Sequence, residues 1–221
     1  MTIYWPRRST GLPPGQRLMH DMPRFTNNPF RPPPDPPACA VAFSVDRQPL
    51  AVITEADLEA IGLDDYRFDF HCVTTWSVKD LIWTGVPLRH VAESVGLDQQ
   101  ASPYVVARAA DSRRGHFMTE DAFAADVILA TKLNGERLGA RHGGPLRLVA
   151  PQHYGYKSIK HLTSIDFTSD RPDRLGKEHL RGRVDHEERH PKLPNWLVKI
   201  PYRLLIPPTA YLAERSLPRP R

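Results

Sequence analysis

Phe68-Asp69-Phe70-His71-Cys72-Val73-Thr74-Thr75-Trp76-Ser77 is the stretch on which the reading of this chain turns. Apolar Phe68, Phe70 and Cys72 alternate with polar Arg67, Asp69 and His71, the period-two pattern of a strand with one buried face. Trp76 and Ser77 are expected to leave that strand. A thiol at the end of such a strand either packs as a small hydrophobe or serves as a soft thiolate ligand. The strand by itself leaves both roles open.

Working outward, residues 38–45 read as a strand, and Thr54 with Asp57 three residues later forms a capping-box signature for a short helix that Gly62 closes. On the other side, Pro87 stands where a helix over 88–95 begins, with Gly96 ending it. Residues 104–109 read as a strand, Arg113-Arg114-Gly115 as a turn, and Thr119 as the cap of a brief helix to Ala125. The strongest hairpin signal is 127–133, Asn134-Gly135 and 136–138, because Asn-Gly accepts the positive φ angles of a tight turn. Strands over 146–149 and 158–167 follow. Strands mixed with short helices, without a regular βαβ rhythm, predict an α+β fold with mixed sheets.

The chain of 221 residues is long enough to bury a sizeable core. Its 23 prolines exceed ordinary usage and gather in 29–37 and towards the C-terminus. This predicts one main domain over 38–168, a Pro-rich N-terminal arm over 1–37, and a C-terminal tail over 169–221 that wraps the domain. The tail's apolar group (Trp196, Leu197, Val198, Ile200, Tyr202, Leu204, Leu205, Ile206) is expected to be buried against the body. A membrane-surface or partner-docking segment, helped by Lys199, Arg203 and Arg215, is the alternative. Thirty Lys and Arg against 25 Asp and Glu give a net charge of +5, which suits an anionic ligand; the charge is spread out and no nucleic-acid-binding motif is present. Cys39 and Cys72 are too few for a disulfide framework; a single pairing stays open, and a reducing compartment is the simpler reading. No apolar run follows Arg7-Arg8, and no stretch is long enough to span a bilayer, so a cytoplasmic location is expected.

Two further constellations carry chemical residues. His186-Glu187-Glu188-Arg189-His190 matches the H-E-x-x-H string of zinc proteases, which needs a continuous helix. Pro191 biases His190 away from helical angles, and the surrounding charges leave no apolar face, so a solvated loop is expected. The second is His142-Gly143-Gly144-Pro145-Leu146-Arg147 with Tyr154-Gly155-Tyr156-Lys157-Ser158-Ile159-Lys160. It lacks P-loop spacing, yet Arg147, Lys157 and Lys160 could converge on a phosphate, with small residues allowing close backbone approach. A solvated basic surface fits the charges equally well.

The segment 70–77, then Trp83-Thr84-Gly85-Val86-Pro87-Leu88, Leu133-Asn134-Gly135-Glu136, 142–149 and 154–160 occur in an order that resembles the molybdopterin-binding domain of the sulfite oxidase family. The resemblance covers 38–168 and is to the bacterial branch that includes the catalytic subunit of the methionine sulfoxide reductase system. In sulfite oxidase proper and plant nitrate reductase the residues after the ligand Cys resemble Ala-Gly-Asn-Arg-Arg; here they are Val73-Thr74-Thr75-Trp76-Ser77.

The resemblance implies a sulfite oxidase-type fold with mixed sheets and short helices, and a molybdenum–molybdopterin cofactor. Cys72 is implied as the molybdenum ligand and catalytic residue, and Asn27, His142, Arg147, Ser158, Ile159 and Lys160 as holders of the pterin and its phosphate. His71, Arg113, Arg114, His116 and His153 are further pocket candidates. The implied reaction is oxygen-atom transfer with a small-molecule substrate, sulfoxide-like or sulfite-like. A separate electron-transfer protein is expected, since neither a haem-attachment C-x-x-C-H nor a Rossmann glycine fingerprint is present; a peripheral membrane partner is compatible with the apolar tail. The chain departs from the branch at Pro29-Phe30-Arg31, where the branch has Phe-Tyr-Glu, and at Ala109, where it has a cofactor-contacting Thr. The region after Thr168 follows neither the sulfoxide reductase tail nor the sulfite oxidase dimerisation domain. These departures motivate the alternative of a molybdopterin-binding or carrier protein of the same fold without turnover.

Overall fold

A computed structural model describes residues 11–13, 15–24, 38–172, 195–215 and 217, without the side chains of 195–199, 202 and 214. The described chain runs β1 (Arg17–Leu18), β2 (Ala40–Val45), β3 (Gln48–Thr54), α1 (Glu55–Ile61), β4 (Asp64–Cys72), β5 (Trp76–Pro87), α2 (Leu88–Ser94), β6 (Tyr104–Ala109), β7 (Arg114–Met118), α3 (Thr119–Ala122), β8 (Ile128–Leu133), β9 (Glu136–Arg137), β10 (Arg147–Val149), β11 (Leu162–Thr168) and α4 (Asn195–Arg215). One sheet has the order β1-β5-β8-β10, with β4 also on β5 and β9 on β8; the other has the order β3-β2-β11-β6-β7. The pairs β1–β5 and β2–β11 are parallel and the rest antiparallel. This is the expected α+β fold with mixed sheets and short helices, α4 excepted.

In the first sheet β8 and β10 are buried on both faces, which is why they read as nearly continuous apolar runs. Val86, Val127, Leu129, Leu146, Leu148 and Ala150 enter one core with β2, β6, β11 and the first three helices. Ile128, Ala130 and Val149, one residue out of step, enter a second core with Phe70, Cys72, Trp76, Val78, Leu81 and Trp83. Trp76 and Val78 have even numbers, Leu81 and Trp83 odd. A bulge reconciles them: Phe70 pairs with Val78 and Phe68 with Leu81, so Lys79 and Asp80 together oppose Asp69. Asp80 takes a left-handed φ of 59° there, and its N–H donates to Asp69 Oδ1 at 2.9 Å.

Local signals held where they were strongest. Thr54 and Asp57 form the capping box of α1, closed by Gly62 at φ 121°. Asn134 and Gly135 take φ 51° and 81° in the β8–β9 turn. Elsewhere the structure corrects the sequence reading. Trp76 and Ser77 leave β4 as expected, but they open β5, a strand that was not foreseen. Arg114 and Gly115, expected in a turn, pair with β6, and β3 was not foreseen. Met118, not Thr119, caps α3; the Thr119 hydroxyl donates to the Ser102 carbonyl. The strand expected from Ser158 begins only at Leu162.

The C-terminal segment departs furthest. It forms α4, a helix that contains Pro201, Pro207 and Pro208, each lacking a backbone donor. Ile206, Ala210 and Ala213 anchor it in the second core, which also holds Met19 and Met22. Of the apolar group expected to be buried, Ile206 is, whereas Ile200, Leu204 and Leu205 are 53%, 60% and 57% exposed. The side chains of Trp196, Leu197, Val198 and Tyr202 lie outside the description.

Candidate functional site

Cys72 ends β4 and Trp76 opens β5, so a three-residue turn carries the thiol at one end of the sheet. The Thr75 N–H closes the turn on the Cys72 carbonyl at 3.0 Å. Thr75 has φ 75°, a left-handed angle that costs a β-branched residue about 1–3 kcal/mol. Cys72 is 8% exposed, and its Sγ lies 3.1 Å from Thr74 Oγ1. Burial pushes the Cys72 thiol pKa up, while hydrogen bonding with Thr74 and the charge of Lys160 pull it down. A buried thiol of this kind is inert until a metal ion replaces its proton.

Arg147 is on β10 and is fully buried. Its guanidinium lies 5.1 Å from the ring centres of both Phe70 and Trp83, and Nη1 donates to the His142 carbonyl at 3.0 Å. Nε and Nη2 have no partner among the described residues. Burial lowers its pKa to about 9. Beside it, His142 is held neutral. Burial first, then the charges of Lys160, Arg141 and Arg147, push its pKa down to about 3, and its Nδ1 is also unpartnered. Lys160 Nζ donates to the Arg141 carbonyl at 3.2 Å, and its charge is felt at Cys72, His142 and His161.

Close backbone packing builds this basic loop. Gly143 has φ 93°, and a Cβ there would lie 2.4 Å from Lys160 Cβ. The His161 N–H donates to the Gly143 carbonyl at 2.7 Å, and His161 Nδ1 contacts the Gly144 carbonyl at 2.8 Å. Gly155 donates its N–H to the His71 carbonyl at 2.7 Å, which seats the second loop on β4. Buried N–H groups left unsatisfied on a cation mark a place that an anionic group could complete.

Cys72, His142, Arg147 and Lys160 therefore share one electrostatic environment. Ser158 and Ile159 contribute scaffold. The Ser158 hydroxyl accepts the Ala150 N–H at 3.1 Å, and Ile159 packs its side chain in the first core while its carbonyl accepts the Leu148 N–H at 2.9 Å. Lys157 is the third cation that the sequence offers for a phosphate. Its Nζ instead donates to the His116 carbonyl and lies 5.0 Å from the Phe117 ring centre.

His153 joins that second cluster, edge-on to Phe117 and 3.5 Å from Asp121 Oδ2. Arg113 pairs with Asp111 at 3.4 Å, and Arg114 is exposed. His71 is buried, with Nδ1 2.7 Å from Ser77 Oγ, so it serves the Cys72 turn from behind. Asn27 and the string from His186 to His190 lie outside the described residues. Sequence reasoning missed Gln16 and Arg203, which hydrogen-bond to the Cys72 turn; no local signal marks either residue.

Residues 40–175 match the family described as oxidoreductase molybdopterin binding domain. The chain belongs to that family. Among relatives of this molybdopterin-binding domain, an uncharacterized oxidoreductase, YuiH of Bacillus subtilis, is 38% identical over 114 residues, covering 52% of this chain and 57% of the relative. The protein-methionine-sulfoxide reductase catalytic subunit MsrP of Xanthomonas campestris is 29% identical over 187 residues, 74% of this chain and 56% of the relative. The chain thus spans a little over half the length of these relatives. The crystal structure of the sulfane dehydrogenase SoxCD from Paracoccus pantotrophus superposes with a TM-score of 0.52 at 22% identity, over 59% of this chain and 38% of that one. That likeness supports the sulfite oxidase-type fold.

The residues present fit molybdopterin. A soft sulfur donor and an incompletely satisfied cationic cluster are the two chemistries that a metal dithiolene and a phosphate require. Among the described residues no group of three or more His, Cys, Asp or Glu could hold a metal ion by itself.

Proposed function

We propose that the chain is the catalytic domain of a mononuclear molybdenum oxidoreductase that transfers an oxygen atom to or from a small sulfoxide-like or sulfite-like substrate. The observation that carries this reading is the buried Cys72 thiol in the same core layer as Arg147, a buried guanidinium with two unsatisfied donors. Cys72 would ligate molybdenum. His142, Arg147 and Lys160 would hold the pterin and its phosphate, with Ser158 and Ile159 fixing the loop; Asn27 is a further candidate holder.

When bound, the group supplies two-electron redox chemistry at the metal. The protein supplies ligation, orientation and positive potential. Burial holds the Cys72 thiol protonated and the Lys160 charge works against that, while Arg147, its guanidinium over the rings of Phe70 and Trp83, keeps two donors without a partner among the described residues. Reducing a sulfoxide takes two electrons and two protons and releases water; oxidising sulfite runs the balance the other way. The electrons come from or go to a separate electron-transfer protein. Two free cysteines favour a reducing compartment, which cell fractionation would test.

The test compares Cys72→Ser with Cys39→Ser, since Cys39 sits just before β2, outside the ligand motif. A hydroxyl is a harder and weaker donor than a thiolate. Cys72→Ser should keep part of its pterin, change the electron paramagnetic resonance signal of the one-electron state, and lose turnover with a reduced dye and a small sulfoxide. Wild-type spectrum and turnover in Cys72→Ser would return the thiol to an ordinary core role. A loaded wild-type protein that exchanges no electrons with the dye would be the carrier without turnover.

A further inference from the structure

Both ends of the described chain close on the turn that carries Cys72. Gln16, just before β1, donates from Nε2 to the Cys72 carbonyl at 3.1 Å and accepts at Oε1 from Ser77 Oγ at 3.1 Å. The same Cys72 carbonyl accepts the Thr75 N–H, so it receives two hydrogen bonds. The backbone follows suit: the Arg17 N–H donates to the Thr75 carbonyl at 3.0 Å and the Met19 N–H to the Ser77 carbonyl at 2.7 Å. From α4, Arg203 donates through Nε to Thr75 Oγ1 at 3.3 Å and through Nη2 to the Gly15 carbonyl at 3.0 Å. Arg24 Nη1 ties the arm to the same helix at the Ala213 carbonyl, 2.6 Å away.

A turn that only reversed the chain would place Gly or Asn at the left-handed position, where Thr75 stands. Unfavourable backbone angles persist where the surroundings over-determine them, and they gather where direction matters. Here five hydrogen bonds from outside the hairpin fix the peptide planes at Cys72, Thr75 and Ser77 and the Thr75 and Ser77 side chains. A carboxamide suits the Gln16 position because it donates at one end and accepts at the other, bridging a carbonyl and a hydroxyl. A carboxylate would set an acceptor against the Cys72 carbonyl.

We infer that Gln16 is a positioning residue for Cys72. It locks the peptide plane that follows the thiol, and Arg203 locks the far side of the turn, so that Sγ leaves the sheet in one direction. The structural half of this inference rests on the hydrogen bonds alone. The catalytic half rests on the reading of Cys72 as the metal ligand.

The experiment uses the full chain as purified. Loss of one net hydrogen bond should speed hydrogen exchange at the Thr75 amide about tenfold, equivalent to about 1.4 kcal/mol, in Gln16→Met and Gln16→Glu. Exchange of the Val105 amide, in the other sheet, should not change. In the cofactor-loaded protein, Gln16→Met should change the resonance signal of the one-electron state and its midpoint potential, and Arg203→Gln should do the same. Should Gln16→Met fail to fold, Ser77→Ala removes the anchor of Gln16 and leaves the arm backbone pairs, with the same expectation. Unchanged Thr75 exchange overturns the inference. So does an unchanged resonance signal in Gln16→Met when Cys72→Ser changes it. If Cys72→Ser itself leaves the signal unchanged, it is the ligand reading that falls, and Thr75 exchange alone decides the role of Gln16.

Discussion

Replacing Arg147 by Met should make the cofactor-free fold more stable while loosening its hold on pterin. Burial brings the guanidinium pKa down from its ordinary value to about 9. At 1.36 kcal/mol per tenfold this is roughly 5 kcal/mol against the charged form in the folded state. Both states bind the proton below pH 9, so the cost is complete there and is relieved only as pH climbs from there towards the ordinary guanidinium value. The aromatic faces of Phe70 and Trp83 return about 0.5–2 kcal/mol each, and the hydrogen bond to the His142 carbonyl about 1.5–3 kcal/mol. Methionine forgoes all of these terms and adds about 1.5–3 kcal/mol of apolar burial in the same slot. Taken at their midpoints the terms give methionine a gain of about 2.5 kcal/mol, or several degrees in Tm for a chain of this size. Loss of a charged contact to the phosphate should meanwhile lower pterin retention roughly ten- to a hundredfold. Urea titration of cofactor-free protein reads the first effect, and fluorescence of the released, oxidised pterin reads the second. A variant destabilised by about 2 kcal/mol or more with wild-type pterin content would refute the reasoning and make Arg147 a structural residue.

Three further outcomes are expected. His142 resists protonation down to about pH 3, facing Lys160, Arg141 and Arg147, so below about pH 6.5 the unfolded chain binds a proton that the folded chain does not. Cofactor-free stability should then fall by about 1.4 kcal/mol per pH unit from this residue as pH drops, and His142→Gln should flatten the slope in urea titrations; an identical slope would count against it. Lys160→Ala should purify with much less pterin than Lys132→Ala, and equal occupancy would remove Lys160 from the site. Gly155→Ala would set a Cβ 2.2 Å from Phe70 Cζ, displacing the ring beneath Arg147, so it should cost both stability and pterin content; a wild-type melting curve would contradict the packing described.

What the sequence disclosed depended on how local the cause was. The capping box at Thr54, the Asn134-Gly135 turn and the alternation through Phe70 and Cys72 are written within a few residues of one another, and each was readable. Helix α4 was not, because Pro201, Pro207 and Pro208 argue against a helix on propensity; burial of Ile206, Ala210 and Ala213 overrides them. Strand β3 was hidden for a related reason: Pro49 and the exposed Leu50 and Val52 lie on the edge strand of the second sheet, where proline and solvent are tolerated. Ordered motifs single out Cys72, His142, Arg147 and Lys160, and the structure sets these four in one electrostatic environment. Lys157 turns to the His116 carbonyl instead, which charge alone does not encode. Gln16 and Arg203 reach the Cys72 turn across separations of 56 residues to Cys72 and 128 residues to Thr75, and no pattern in the intervening sequence encodes that meeting.

Sheet parity explains why the thiol and the cation meet at all. Phe70 and Cys72 share a face of β4 by their period of two, and the bulge at Lys79 and Asp80 keeps Trp76, Val78, Leu81 and Trp83 on the same side of β5. On β10, Arg147 and Val149 have the parity of that layer, while Leu148 points into the other core. The pairing of Arg147 with Ala130 and Val149 with Ile128 sets this orientation. A slip of one residue between β8 and β10 would turn the guanidinium into the core that holds Val86 and Leu129 and turn Leu146 and Leu148 out of it, with neither Phe70 nor Trp83 to face the charge. The apolar runs on β8 and β10 thus do more than fill two cores. By fixing the register, they decide which face receives the charge, and so place the buried cation in the layer that already holds Cys72.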